Sequence, residues 1–251
     1  MTDFIVLLSE KAKTGKTSLS INVASLLAKK GYLVTLIDMD FHSPSLYNYF
    51  IDERIEKKIS INEYLLGSED PGLIVELTPI LKKYSPEMKT GGDLFCIFAD
   101  TEKGRMEDLE HSEKEKSESI TRLIRLINYD ILDREFIVNK NREHLGSPDF
   151  VILDLDISSI FWLTNGLSLI DIVFMLGPST VVTNQNKLHS WQVLEVFESH
   201  GKTIESFPPI PFHKDLYQNE YLTVLRHPNH EYSKYVESIT SRILSDKIGF
   251  D

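Results

Sequence analysis

Short continuous apolar runs alternate along this chain with stretches of helical spacing. Phe4-Ile5-Val6-Leu7-Leu8 is a continuous apolar run, the pattern of a strand buried on both faces. After a polar stretch, Leu19, Val23, Leu26 and Leu27 fall on one helix face, with Ile21 and Ala24 beside them, so the spacing predicts a helix over 19–30. Lys29-Lys30-Gly31 marks its end. Tyr32–Ile37 is a second apolar run. Strand, helix and strand within about 35 residues predict a βαβ unit, whose strands run parallel.

Further along, the pattern predicts a short helix over 59–66, a strand or loop over 72–77, and a loop over 84–92 containing Pro86 and Gly91-Gly92. Leu94–Ala99 reads as a buried strand, in which Cys96 is a small buried hydrophobe. Residues 101–119 are dense in mixed charge, the composition of a solvated helix or mobile loop. Ile120, Leu123, Ile124, Ile127 and Ile131 then return to helical spacing, and 139–147 reads as an exposed connection. Phe150–Leu153 and Ile172–Leu176 are strand-like. Helices are expected over 162–170, 186–199 and 232–248, with Trp191 a core residue and the last helix packed on the core. His227-Pro228-Asn229-His230 reads as a turn.

Two carboxylate segments and one lysine-rich loop fall at the ends of these strands. Gly15-Lys16-Thr17, between the first strand and the first helix, is the end of a P-loop pattern. A strand, a tight loop and a helix N-terminus together make an anion site, because loop N–H groups converge there and the helix dipole favours negative charge. In such a loop Lys16 reaches β- and γ-phosphates and the Thr17 hydroxyl ligates Mg²⁺. Asp38-Met39-Asp40 closes the second strand, where α/β sheets bind ligands. Asp38 and Asp40 are two residues apart and so point the same way. Pro148-Asp149-Phe150-Val151-Ile152-Leu153-Asp154 ends an apolar strand in an Asp, the geometry that holds Mg²⁺ through water. His42, alone in a polar loop, reads as solvated.

Lys11-Ala12-Lys13-Thr14-Gly15-Lys16-Thr17 resembles the deviant Walker A motif, K-G-G-x-G-K-T, of the ParA/MinD family of dimerising ATPases. Ala12 and Lys13 stand where that motif has glycines, although the backbone N–H groups remain. The resemblance implies an α/β fold: a mostly parallel, doubly wound sheet with helices on both faces, as in P-loop NTPases. It implies that Lys11, Ala12, Lys13, Thr14, Gly15, Lys16, Thr17 and Ser18 bind the nucleotide, and that Lys11 crosses a dimer interface to the partner's phosphates. Asp38–Asp40 resembles the family's D-x-D segment, which makes Asp40 the residue that positions the attacking water and puts Asp38 nearer the metal. Asp149 and Asp154 match the family's Y-D-x-hydrophobic-hydrophobic-hydrophobic-D-x-P, with Asp156 replacing the proline. Thr17, Asp38 and Asp154 are then the Mg²⁺ set, and Lys11, Lys16 and Asp40 the catalytic set. Asp171–Pro178 resembles a further strand segment of the family. Ile210–Asp215 resembles its adenine-side I-P-x-D loop, which places Pro211 at the nucleotide. The adenine-reading Asn strand has no counterpart, so ATP and GTP are not separated by sequence.

The chain has 251 residues, 41% of them hydrophobic and 26% charged, which fits one globular α/β domain over 1–251 with variable segments at 46–93 and 101–147. No apolar run reaches the roughly 20 residues of a membrane span. The start, Met1-Thr2-Asp3, is not that of a signal peptide. One cysteine excludes an intrachain disulfide framework, suits a cytoplasmic setting, and argues against family branches that bridge a dimer through cysteine pairs. A net charge of −11 lowers the expectation of nonspecific DNA binding, which draws on Lys and Arg. By the resemblance, the chain is an ATP- and Mg²⁺-binding, ATP-hydrolysing switch. It forms a nucleotide-dependent homodimer, answers to an unknown protein partner, and acts in intracellular positioning or partition. Two alternatives stay open: a degenerate, non-hydrolysing interaction protein, and a small-molecule kinase or ligase on the same fold.

Overall fold

The computed structural model describes residues 2–9, 15–41, 43–53, 55, 59–68, 73–88, 92–100, 113–127, 147–155, 170–176, 195, 197–201, 203–208, 210 and 222–248. Strand β1 (Asp3–Ser9) leads to helix α1 (Lys16–Lys29), which begins three residues before the apolar spacing does, because its first turn is polar. Strand β2 (Leu33–Asp38) follows, then a 3₁₀ helix (Leu46–Glu53) and α2 (Ile61–Leu65). Ser60 starts α2 with a capping box: its side chain accepts from the Glu63 N–H, and the Glu63 carboxylate accepts from the Ser60 N–H. Next come β3 (Val75–Glu76), α3 (Thr78–Tyr84), β4 (Asp93–Ile97) and α4 (Glu113–Arg125). The chain ends through β5 (Phe150–Asp154), β6 (Ile172–Leu176), β7 (Thr203–Phe207), α5 (Thr223–Arg226) and α6 (Glu231–Ile248).

The strands form one seven-stranded sheet in the order β3-β4-β2-β5-β1-β6-β7. Every neighbouring pair is parallel except β3 with β4. Alternation along β1 divides the core in two. Ile5 and Leu7 join Val34, Leu36, Phe150 and Ile152 under α1 and α6, where Leu19, Val23, Leu27, Val236, Ile239 and Ile243 are buried. Val6 and Leu8 join Ile37, Phe95, Val151 and Leu153 on the other face, under Ile61 and Leu65 of α2 and Leu123 of α4. Each such side chain contributes about 1.5–3 kcal/mol when taken fully out of water. The doubly wound, mostly parallel sheet is thus as expected, and α6 lies on the core.

Several expectations meet particular outcomes. The 72–77 segment contains a two-residue antiparallel edge strand. The charged run is helical at Glu113, and Leu126 and Ile127, just after α4, are in π geometry. After Gly201 the chain forms β7, added in parallel beside β6. The 3₁₀ helix, α3 and α5 have no counterpart in the apolar pattern. The helices expected over 162–170 and 186–199 lie largely outside the described residues; Glu195 and residues 197–199 of the second are helical.

Two aspartates fix the near ends of the central strands. Asp149 accepts from the Leu33 N–H at 2.9 Å while its own N–H donates to the Leu33 carbonyl at 2.7 Å. Asp171 makes the same pair with Phe4, at 2.8 and 2.9 Å. Asp149, matched by motif, is therefore a register clip at the opposite end of β5 from Asp154. Gly92 is required for a different reason. A Cβ there would run into the Ala28 carbonyl at the end of α1 and press on the Gly31 backbone. Gly92→Ala is therefore expected to destabilise the fold by about 1–3 kcal/mol, as overpacking of a buried site does. A urea unfolding curve with an unchanged midpoint would show that α1 and the start of β4 yield freely.

Candidate functional site

The sheet brings the carboxyl ends of β2 and β5 together beside the N-terminus of α1. Asp38 and Asp154, each the last residue of its strand, are register partners. Gly15 precedes α1 with φ at +87°, a left-handed conformation that glycine adopts without strain. Its carbonyl accepts from the Leu19 N–H at 2.9 Å, which sets the first turn of the helix. That turn carries Lys16 and Thr17, both buried. Positive helix-end dipole and lysine charge therefore converge on the strand ends.

Lys16 Nζ donates to the Leu155 carbonyl at 2.7 Å, just past the end of β5. Asp38 is held by the loop that follows it: Oδ1 accepts from the Asp40 N–H at 3.1 Å and Oδ2 from the Leu46 N–H at 3.4 Å. Asp40 is also buried, and its Oδ1 accepts from the Ser43 N–H at 2.9 Å. Ser45 Oγ donates to Thr17 Oγ1 at 3.3 Å, tying this loop to α1. Ser20, one turn beyond Lys16 and fully buried, lies 3.2 Å from Asp154 Oδ1 and 3.1 Å from the Lys16 carbonyl. Asp154 Oδ2 is buried and has no hydrogen-bond partner among the described residues. The Ser18 hydroxyl meets the Tyr232 hydroxyl of α6 at 3.2 Å, and Ile210 approaches Gly15 from the segment after β7.

Burial pushes the Asp38 carboxyl well above the ordinary carboxylate range, and the Asp154 charge raises it further. The backbone donors of Asp40 and Leu46 act against this. Burial also raises Asp154, opposed by the Lys16 ammonium and by the nearby Thr17 and Ser20 hydroxyls. Thr17 favours the charged carboxylate without closing a hydrogen bond to Oδ2. The Cys96 thiol is raised by burial and by both carboxylates, so it stays neutral and unreactive. Both carboxyls are thus pushed toward their neutral forms, and at Asp154 the Lys16 ammonium opposes this.

A divalent cation fits this arrangement. Thr17 and Asp154 offer hard oxygen donors, and the orphaned Oδ2 is a buried acceptor in need of a partner. Among the described residues, no group of three or more His, Cys, Asp or Glu is placed to hold an ion unaided. The donor set therefore suits an ion that brings water and phosphate ligands with it. Of the residues expected at the site, Gly15, Lys16, Thr17, Ser18, Asp38, Asp40 and Asp154 are gathered here. Lys11, Ala12, Lys13, Thr14 and Pro211 lie outside the described residues, as do His42 and Asp156. Ser20, Ser45 and the Leu155 carbonyl were not anticipated. For Ser20 one signal was present, its i+4 spacing from Lys16 on the same helix face.

The sequence profile described as the CobQ/CobB/MinD/ParA nucleotide binding domain matches residues 5–216. No curated protein sequence matches the chain. Among solved structures, the fold is similar to cobyrinic acid a,c-diamide synthase from Mycobacterium smegmatis with bound ADP and magnesium (TM-score 0.61, 15% identity, 97% of this chain and 94% of that one). It is also similar to a plasmid partition protein from Borrelia burgdorferi (TM-score 0.60, 19% identity, 98% and 99%). A third likeness is the kinase domain of Escherichia coli tyrosine kinase ETK (TM-score 0.54, 15% identity), covering 82% of this chain and 66% of that one, so this chain spans just under two thirds of its length. At these identities the likenesses establish a shared fold. Among the described residues no helix is long and apolar enough to cross a membrane.

The raised carboxyls make stability depend on pH with a definite sign. A carboxyl whose folded pKa lies above its unfolded value binds more protons in the folded state between the two, so stability falls as pH rises through that window. Without nucleotide, the melting temperature is expected to decline through this pair as pH rises above about 4, the unfolded aspartate value, and Asp38→Asn is expected to flatten the decline. Thermal denaturation across pH checks this; equal slopes in both proteins would contradict it.

Proposed function

The chain belongs to the CobQ/CobB/MinD/ParA nucleotide-binding family, and on that premise we propose that it is an ATP- and Mg²⁺-dependent hydrolytic switch. It dimerises on ATP and acts in intracellular positioning or partition. One observation carries the reading: Lys16 and Thr17 open a helix directly beside Asp154, whose Oδ2 is buried without a partner among the described residues.

In this reading Lys16 leaves the Leu155 carbonyl to bind phosphate oxygens, together with the N–H groups of Lys11 through Ser18. Thr17, Asp154 and Asp38 would hold magnesium, partly through water, and the ion would supply charge neutralisation at the phosphates. Asp40 orients the attacking water, its loop held by Asp38 and Ser43. Lys11 crosses to the phosphates of the second subunit. Catalysis of this kind is positioning and electrostatics, with little covalent work for the protein. Pro211 lies on the base side of the nucleotide. The whole chain, 1–251, acts as one cytoplasmic P-loop domain that answers to a protein partner, and its charge of −11 disfavours DNA coating. Ala12 and Lys13, in place of two motif glycines, support a second reading in which the fold is kept as a non-hydrolysing interaction protein.

Calorimetry with ATP and Mg²⁺ separates the two. The wild type is expected to bind, and Lys16→Ala to weaken binding about 10- to 100-fold, the loss of charge-assisted contacts of about 1.5–3 kcal/mol. Lys11→Ala is expected to keep binding but lose ATP-dependent dimerisation and turnover, read by light scattering and phosphate release. A hydrolysis rate that Lys16→Ala leaves unchanged would sink the switch reading. Absence of binding to ATP and GTP at about millimolar concentration, far above the Kd of a specific site, would favour the interaction protein.

A further inference from the structure

The two strand-end carboxylates are held in different ways. Both oxygens of Asp38 accept backbone N–H groups of the loop that follows it, so that carboxylate also anchors Asp40 and Leu46. Among the described residues, Asp154 has no such backbone donors. Its Oδ1 has a donor in Ser20 and its Oδ2 has none among the described residues. A carboxylate with one fixed oxygen keeps a fixed plane; without that contact it is free to turn toward the Lys16 ammonium or the Thr17 hydroxyl, both close by. The Ser20 proton has two acceptors in reach, Asp154 Oδ1 and the Lys16 carbonyl. The carboxylate is the stronger acceptor, because hydrogen bonds to charged groups are about twice as strong as neutral ones.

We propose that Ser20 is a positioning residue for the divalent cation: its hydroxyl pins Oδ1 of Asp154 and so keeps Oδ2 turned to the place where the cation's water shell meets the protein. The role rests on the nucleotide and Mg²⁺ reading above and extends it to a residue outside the phosphate loop. The geometry comes directly from α1. Residues 16, 17 and 20 share the helix face that meets the end of β5, so one turn of helix supplies the phosphate lysine, the cation hydroxyl and the carboxylate pin. Ser20 also reaches the carbonyl four residues before it, at 3.1 Å, the bond that buried helical serines often make, so the competing role is a serine that serves α1 alone.

The two roles separate in a nucleotide titration of the full chain, run in EDTA and again with Mg²⁺ varied, on wild type, Ser20→Ala and Ser20→Thr. Nucleotide binding in EDTA reports the fold and the phosphate contacts; the Mg²⁺ midpoint reports the cation. Ser20→Ala is expected to bind ATP in EDTA as the wild type does and to need about tenfold more Mg²⁺, the usual effect of removing a group that orients a metal ligand. Ser20→Thr, which keeps the hydroxyl, is expected to restore the midpoint. An unchanged midpoint in Ser20→Ala overturns the role. So does an equal loss in EDTA and in Mg²⁺, which would make Ser20 a support of α1, and so does a threonine variant that binds normally in EDTA without restoring the midpoint. A wild type whose binding ignores Mg²⁺ overturns the reading of the site itself, whatever the variants do.

Discussion

Two carboxylates sit side by side at the ends of β2 and β5, fully buried, with Lys16 beside Asp154. Such a pair is unfavourable in isolation, since desolvation and like charge both oppose ionisation. The surrounding fold is what keeps it in place. Asp38 is compensated by two backbone N–H groups, Asp154 by lysine and hydroxyls, and the register between their strands is pinned at the far end by Asp149. Parallel strands buried on both faces leave little freedom to slip, because a one-residue shift would turn every core side chain to the other face.

The order of the strands decides where this charge is put. β1 has β5 on one side and β6 on the other, and α1 leaves β1 to cross over to β2 beyond β5. Ligands in open α/β sheets bind where connections diverge in this way, outside the carboxyl ends of the strands. The same place receives the α1 N-terminus, the Asp40–Ser45 loop through the Ser45–Thr17 hydrogen bond, and the first turn of α6 through Tyr232 and Ser18. Three separate parts of the chain thus meet at one helix turn. The site therefore gathers two buried carboxyls beside one lysine, and in the proposed function a phosphate-borne cation would relieve that arrangement.

Much of this was legible in the residues. Continuous apolar runs located β1, β2, β4, β5 and β6, since buried parallel strands need both faces apolar; α1 was located too, though its first, polar turn fell before the apolar spacing. The short elements were not legible. Leu46 and Phe50 of the 3₁₀ helix, and Leu77 and Leu81 at α3, are pairs four residues apart, too few to establish a period, although Thr78-Pro79 with Lys82-Lys83 is a start and stop signal for α3. At the site, Lys16, Thr17, Asp38, Asp40 and Asp154 were found because they stand at element ends with recognisable spacing. Ser20 and the Leu155 carbonyl were not, because each meets a residue more than a hundred positions away, and the i+4 spacing of Ser20 from Lys16 is a weak local trace on its own.

The central claim is that the fold leaves the buried Oδ2 of Asp154 without a partner among the described residues, ready for a nucleotide-bound cation. Thermal denaturation of wild type and Asp154→Asn, each alone and with ATP and Mg²⁺, tests it most directly. The account predicts that Asp154→Asn matches or exceeds the wild type in melting temperature when alone, because a buried charge is removed, and that the extra stabilisation Mg²⁺ adds to ATP disappears. A variant that is less stable alone and still gains the full Mg²⁺-dependent increment would contradict it.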